Sequence, residues 1–442
     1  MIPVLCILAF AVVGLILLVL VKPTCRIPLI GASMSVYWIP PLLGAVALLA
    51  FGLLHPQELA SGLTASGDVN PLKILTLFLS MTLLSVFLDE AKFFGYLASA
   101  ILRRAGKNQK IFFLYLFLTV SVLTIFTSND IIVLTFTPFL CYFSKKAKID
   151  PLPYFICEFA AANTFSMALM IGNPTNIYLS ASAGVTFGEY LSRMWLPTLL
   201  AGAGVFGMLL LLFHKRLSVP MLQEISAPSE DGGEGKIREK ALLVIGLVHL
   251  GLCIVSLAIS SYLPLPMWLL CLAFAVSLVV SVLIYHAVRR RSPRILLRSF
   301  ARLPYDIVPF VLSMFVLVLG LDKYGVTEMI RGALEGEGTV IRYGVTSFLA
   351  SNALNNIPMS VLFSPVVGGI ADAAVRTDAL YATVIGSNLG AFFTPIGALA
   401  GIMWSAMLKK YGIRLTFTQF IRYGAMIAIP SLLLALLGLM IL

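Results

Sequence analysis

Apolar residues run along this chain in blocks of bilayer-spanning length, not in the short alternations of a half-buried sheet. Val4–Val21, Ala241–Ser260 and Trp268–Ile284 carry no charged residue. The opening stretch, MIPVLCILAFAVVGLILLVLVKP, lacks a basic n-region and is followed by no A-x-A site, so it reads as a membrane helix, not a signal peptide. Polar residues interrupt other blocks at their middles. The interruptions are Thr127-Ser128-Asn129-Asp130, Gly172-Asn173-Pro174-Thr175-Asn176, Ser351-Asn352-Ala353-Leu354-Asn355-Asn356, and Gly386-Ser387-Asn388-Leu389-Gly390 followed by Thr394-Pro395-Ile396-Gly397.

Composition agrees with the pattern. Of 442 residues, 60% are hydrophobic and 12% charged, where soluble domains are near half apolar and a quarter charged. The class is an all-α polytopic membrane protein. The net charge of +11 does not point to nucleic acid, because basic residues collect in the cytoplasmic loops of membrane proteins.

Charge then assigns sides. Segments 22–35, 89–110, 144–150, 214–240, 289–304 and 409–422 hold 25 of the 31 Lys and Arg and are placed inside. Segments 55–70, 187–190 and 262–265 hold none, and 322–342 with 372–378 hold more acids than bases; these are placed outside. Segments 89–110 and 144–150 therefore share a side, although a single apolar stretch of 33 residues (111–143) separates them. Two spans need about 40 residues. The stretch is expected to enter from inside, turn within the membrane and return. The stretch between 343 and 371 repeats this from outside.

The chain thus reads as two inverted-topology repeats, each with a re-entrant hairpin and a broken transmembrane helix. The first is 1–213, with its hairpin at about 111–143 and broken helix at about 151–186. The second is 241–442, with its hairpin at about 343–371 and broken helix at about 379–408. A cytoplasmic linker, 214–240, joins them. The Ser-Asn pairs at 128 and 351 are 223 residues apart and the breaks 214 apart, near half the chain length. This organisation is the sequence mark of a secondary transporter.

Helix ends inside a bilayer must line a protein-walled cavity, where N-termini suit anions and carbonyls suit cations. Ser128, Asn129, Asn173, Thr175, Asn176, Ser351, Asn352, Asn355, Asn356, Ser387, Asn388 and Thr394 are expected to converge near the midplane as substrate and ion ligands. If sodium is the coupling ion, it would lie near Ser128, Asn129, Gly172, Ser351, Asn352 and Gly386. Asp130 is a membrane carboxylate with no Lys or Arg in either hairpin to pair with. A coupling cation or proton is one partner for it, and the N-terminus of the returning helix is another.

Other residues add less. Glu158 lies near Pro151 and is expected at the interface, and Asp89-Glu90 at a helix end. The four histidines form no cluster. Six cysteines (Cys6, Cys25, Cys141, Cys157, Cys253, Cys271) contain no C-x-x-C and read as core residues, with soft-metalloid binding the alternative.

LDEAKFF (88–94), SNDIIVLTFTP (128–138), GNPTN (172–176), SNALNNIP (351–358) and YATVIGSNLGAFFTPIGALAGIMW (381–404) resemble, in order, the ion transporter superfamily. The similar branch is the arsenite efflux (ArsB-type) and citrate-transporter-like permeases. The resemblance implies a homodimeric elevator transporter whose hairpin tips and broken helices form the substrate and cation sites. Departures are Asn163 and Asn388, where the arsenite permeases have aspartate. At the hairpin tips Asp130 and Ala353 stand where the dicarboxylate carriers have threonine.

The expected function is secondary active transport of a small anion or neutral oxyacid, arsenite-like or carboxylate, across a bacterial-type cytoplasmic membrane. H⁺ or Na⁺ would be the coupling ion, no other cofactor is called for, and the partners are the lipid bilayer and the small-ion substrate. A cation/proton antiporter on the same scaffold is the alternative. No H-e-x-x-H spacing or nucleophile–base pair supports an intramembrane enzyme. A channel fits inverted halves less well than alternating access does.

Overall fold

The computed structural model describes residues 1–21, 24–26, 33–64, 70–221, 239–260, 265–413 and 415–442. Most of the linker 214–240, and parts of the loops at 22–35, 55–70 and 262–265, lie outside the described residues. The described chain is almost wholly helical, and the order of its helices occurs twice. The first series is α1 (Ile2–Val21), α2 (Ile39–Ala50), α3 (Pro56–Thr64), α4 (Pro71–Glu90), α5 (Phe93–Ala105), α6 (Gln109–Phe126), α7 (Asn129–Ala147), α8 (Leu152–Phe165), α9 (Pro174–Ala183) and α10 (Phe187–Phe213). The second is α11 (Lys240–Ile259), α12 (Met267–Val288), α13 (Arg294–Ala301), α14 (Ile307–Lys323), α15 (Val326–Leu334), α16 (Thr339–Leu354), α17 (Asn356–Gly368), α18 (Ala373–Gly390), α19 (Leu399–Lys410) and α20 (Phe417–Ile441). Each series has two helices and a short third, a longer helix, a short amphipathic helix, a hairpin, a helix in two pieces and a long final helix. A small antiparallel ribbon, β1 (Thr24–Arg26) with β2 (Ser33–Ser35), precedes α2.

Local chemistry sets the helix starts. Asn70 accepts from the backbone N–H groups of Leu72 and Lys73 ahead of Pro71, which starts α4. Thr186 with Glu189 and Thr416 with Gln419 form capping boxes at the starts of α10 and α20, the final helices of the two series. Among the described residues six helices are long and apolar enough to cross a membrane: α4, α6, α10, α11, α12 and α20. Large apolar side chains stand exposed along them, including Val248, Leu252 and Val255 on α11 and Val276, Val280 and Leu283 on α12. In water such a surface would aggregate; in hydrocarbon it is the outer belt of a membrane protein.

The helices pack in two groups. α1, α2, α4 and α11–α14 form one. α6–α10 and α16–α20 form the other, with α10 against α20 and α16 against α18. The short helices α5 and α15 connect the groups. Each follows a turn with a left-handed residue, Lys92 (φ 69°) before α5 and Gly325 (φ 75°) before α15. α14 and α15 bend by 77° there.

Several boundaries differ from those read in the sequence. The arms of the first hairpin outrun the apolar block, because Gln109-Lys110 and Ser144–Ala147 are helical. The α7 arm has 19 residues, so it is about 28 Å long. The turn is confined to Thr127 and Ser128, and Asn129 and Asp130 open α7. In the second hairpin, Ser351–Leu354 finish α16 and Asn355 alone joins it to α17. Likewise Gly386–Gly390 are the last turns of α18, so the second break is Ala391–Ala398. Those glycines serve packing instead: a Cβ on Gly386 would lie 2.2 Å from the Gly344 carbonyl oxygen, and one on Gly390 2.7 Å from that of Phe348.

Candidate functional site

The two hairpin tips and the two helix breaks supply eight helix ends. Asn163 and Asn388 occupy the same register, two residues before the ends of α8 and α18. Asn129 Nδ2 donates to Asn163 Oδ1 at 3.0 Å, tying the first tip to the first broken helix. Asn163 is held in turn by donation to the Phe159 carbonyl at 2.8 Å.

Asn388 makes the link between the halves. Its Oδ1 accepts from Ser166 Oγ at 2.9 Å and from Asn173 Nδ2 at 3.1 Å. Its Nδ2 donates to Asn176 Oδ1 at 2.7 Å. Asn176 Nδ2 donates to the carbonyls of Ser166 (2.9 Å) and Leu169 (3.2 Å) inside the first break, and Thr175 Oγ1 donates to Asn176 Oδ1 at 3.3 Å. Asn173 also caps α9 by accepting from the Thr175 N–H. Gly172 fits against the Ser166 carbonyl, where a Cβ would lie 2.3 Å away.

The second tip closes on the second break. Asn352 Oδ1 accepts from Thr394 Oγ1 at 2.7 Å and from its N–H at 3.1 Å. Asn355 Nδ2 donates to the Ile396 carbonyl at 2.9 Å, and the Asn356 N–H donates to the Gly397 carbonyl at 2.9 Å. Asn355 adopts φ 76°, ψ 151°, a conformation open almost only to glycine. Strain of about 1–3 kcal/mol is stored there and held by these bonds.

The network contains no Lys, Arg or His. Three of its buried polar atoms bond to no protein group: Thr164 Oγ1, Ser387 Oγ and Asn356 Oδ1. Each stands next in sequence to an asparagine of the network. Unsatisfied buried groups are costly and mark places where a ligand or water is accommodated. Ser351 Oγ is bonded to the Phe348 carbonyl, Asn352 Oδ1 is taken by Thr394, and Gly386 lies within α18. Ser128 Oγ is 3.5 Å from Asn129 Oδ1.

Asp130 is half-buried in the first turn of α7, where open N–H groups favour negative charge. Among the described residues it has no ion pair. Its electrostatic neighbours are Asp306, which precedes α14, and Tyr37, which precedes α2. The tip of the first hairpin therefore lies within electrostatic reach of a carboxyl of the other helix group.

Glu158, expected at the interface, is enclosed by protein. It is fully buried, because α6, α7 and α10 enclose α8 down to its start. Thr137 Oγ1 lies 2.9 and 3.1 Å from its two carboxyl oxygens. Trp404 of α19 stands beside it, stacked on Phe159 at 4.9 Å. A lone carboxylate buried here would cost several kcal/mol.

Asn163, Ser166, Asp306 and Tyr37 were not among the expected ligands. Applying the offset between the hairpins to Asn388 lands within two residues of Asn163, so that signal was in the chain. Nothing local marks Asp306 or Tyr37, which the fold brings to the tip from remote segments. Cys141, Cys157, Cys253 and Cys271 are buried and free, Cys6 is exposed, and the Cys25 side chain lies outside what is described.

Comparison with known proteins follows the same lines. A family model described as citrate transporter matches residues 29–385. The chain is 26% identical over 418 residues to an arsenical pump membrane protein of Yersinia enterocolitica, covering 91% of this chain and 93% of that one. It is 27% identical over 409 residues to an arsenical pump membrane protein of Escherichia coli K12, covering 89% and 91%. Among solved structures it resembles the YdaH transporter of Alcanivorax borkumensis, with a TM-score of 0.54 at 15% identity over 99% of this chain and 98% of that one. Neisseria gonorrhoeae MtrF, described with a class of antimetabolite efflux pumps, gives a TM-score of 0.52 at 13% identity, covering 98% and 94%.

Proposed function

The chain belongs to the citrate transporter family, a family of multi-pass membrane transporters and not of enzymes, and from that premise we propose that it carries a small oxyacid through the asparagine network. One observation carries this reading. Asn388 joins the two broken helices in a buried, cation-free cluster whose neighbours Thr164, Ser387 and Asn356 keep unpaired hydrogen-bonding atoms. Such a lining donates and accepts but offers no fixed positive charge. It suits a neutral or singly charged oxyacid better than a tricarboxylate, whose charges would be left uncompensated. Arsenite, which is neutral near pH 7, fits that chemistry, and the naming of the relatives as arsenical pumps points the same way.

In this reading Asp130 carries the coupling proton or cation. The repeated helix order forms two repeats of opposite topology, and α6–α10 with α16–α20 move against the remaining helices, with α5 and α15 as the connecting arms. When Asp130 and Asp306 are both ionised they repel, which loosens the tip; a bound proton or cation removes that repulsion. Glu158 is a second acid within the same group.

The test is thermal stability of the purified protein against arsenite, antimonite, citrate and succinate, each with and without Na⁺ at two pH values. Stabilisation by arsenite and antimonite is expected from mass action. Stabilisation by citrate alone, and only with Na⁺, would overturn the substrate assignment.

A further inference from the structure

Apart from the transport site, a cavity of about 280 Å³ opens on the face that carries the basic loops, between the end of α4, the start of α11, the end of α12 and α13. Its charged lining is Glu90, Lys92, Glu239, Arg294 and Arg298, with His286. Both carboxylates already have cations. Glu90 is bonded at 2.7 Å to Arg302, which also pairs with Asp89 at 2.6 Å, and Glu239 is bonded to Arg291 at 3.1 Å and to the Tyr285 hydroxyl at 3.1 Å. Lys92, Arg294 and Arg298 enter no ion pair among the described residues. The cavity therefore keeps an excess of positive charge.

His286 supplies the independent observation. It is 6% exposed, and neither ring nitrogen has a hydrogen-bond partner, although a neutral imidazole carries one donor and one acceptor. An imidazole buried among cations and left unbonded needs an acceptor. Two guanidiniums, an ammonium and an imidazole N–H are the donors that recognise phosphate oxygens.

The surroundings favour a lipid source. On α13, Leu297 (65% exposed) and Phe300 lie beside Arg294 and Arg298 at helical spacing, so apolar and basic side chains share an exposed surface. That is the arrangement of a helix lying in the headgroup region. Basic pockets between membrane helices on the inner side bind anionic headgroups.

We propose that this cavity is a phosphate site, filled by the headgroup of an anionic phospholipid, that braces α12 and α13 against the end of α4. Delipidated full-length protein in neutral detergent tests it. Phosphatidylglycerol is expected to raise Tm by about 2–4 °C, with phosphatidylcholine giving no rise. Arg294→Gln/Arg298→Gln is expected to lose the rise while keeping its lipid-free Tm. If that variant does not fold, Lys92→Gln on a different element must reduce the rise. Inorganic phosphate at constant ionic strength separates the sources. An equal rise with phosphate alone keeps the site and assigns it to the free anion. No rise with either ligand, or an undiminished rise in the variants, overturns the proposal.

Discussion

At the scale of residues, the account rests on Asn388. It meets Ser166, Asn173 and Asn176 on the other half of the chain, and alanine would leave Asn173 Nδ2 without a partner, while Ser166 Oγ keeps the Asn163 carbonyl and Asn176 Oδ1 keeps Thr175 Oγ1. The amide left unsatisfied costs about 1–3 kcal/mol. Asn388→Ala is expected to lose ligand-induced stabilisation outright, while Asp130→Asn is expected to keep it. The second variant instead should lose the dependence of transport on the proton or cation gradient; unchanged coupling in flux assays would remove Asp130 from that role. Asn355 gives a finer test. Asn355→Gly relieves the backbone strain but deletes the bond to the Ile396 carbonyl. Stability in denaturant titrations should change by less than about 1 kcal/mol while transport falls. The asparagines, serines and threonines at the interruptions could be read directly from the sequence, because short polar residues in an apolar block have few other uses. Tyr37 and Asp306 could not, since their role is a matter of which remote segments the fold brings together. The burial of Glu158 was not legible, because distance from a loop says nothing about how much protein covers a helix end.

At the scale of elements, the close approach of α16 and α18 decides whether the second tip and break can meet. Gly390→Ala would set a Cβ 2.2 Å from Ser351 Oγ and 2.7 Å from the Phe348 carbonyl oxygen. Backbone cannot give way as a side chain does, so the helices must separate, at about 1–3 kcal/mol or more. A lower Tm with weakened ligand response is expected; a variant matching the native Tm would contradict this packing. Helix identity was legible along the apolar blocks. Helix ends were less so. Polar residues such as Gly386–Asn388 look like a break in sequence, yet they continue α18 because glycine and asparagine there serve packing and interhelical hydrogen bonds.

At the scale of the whole molecule, the two helix groups meet where α14 faces α17, along a cavity lined by Val318, Val361 and Ser364. If one group slides on the other, a bis-thiol linker joining Val318→Cys to Val361→Cys in a Cys6→Ser background should arrest turnover, and cleaving the linker should restore it. Full transport by the linked protein would exclude that motion. The membrane class was visible in the long apolar blocks. The division into two groups was not, because it depends on which helices pack together, and hydrophobicity alone does not specify partners.

The most direct test of the oxyacid site is arsenite flux into proteoliposomes bearing an imposed proton gradient, comparing the native protein with Asn388→Ala. Native flux, abolished in the variant while the variant remains folded, is the expected result. Equal flux in both would show that the substrate does not pass through the asparagine network.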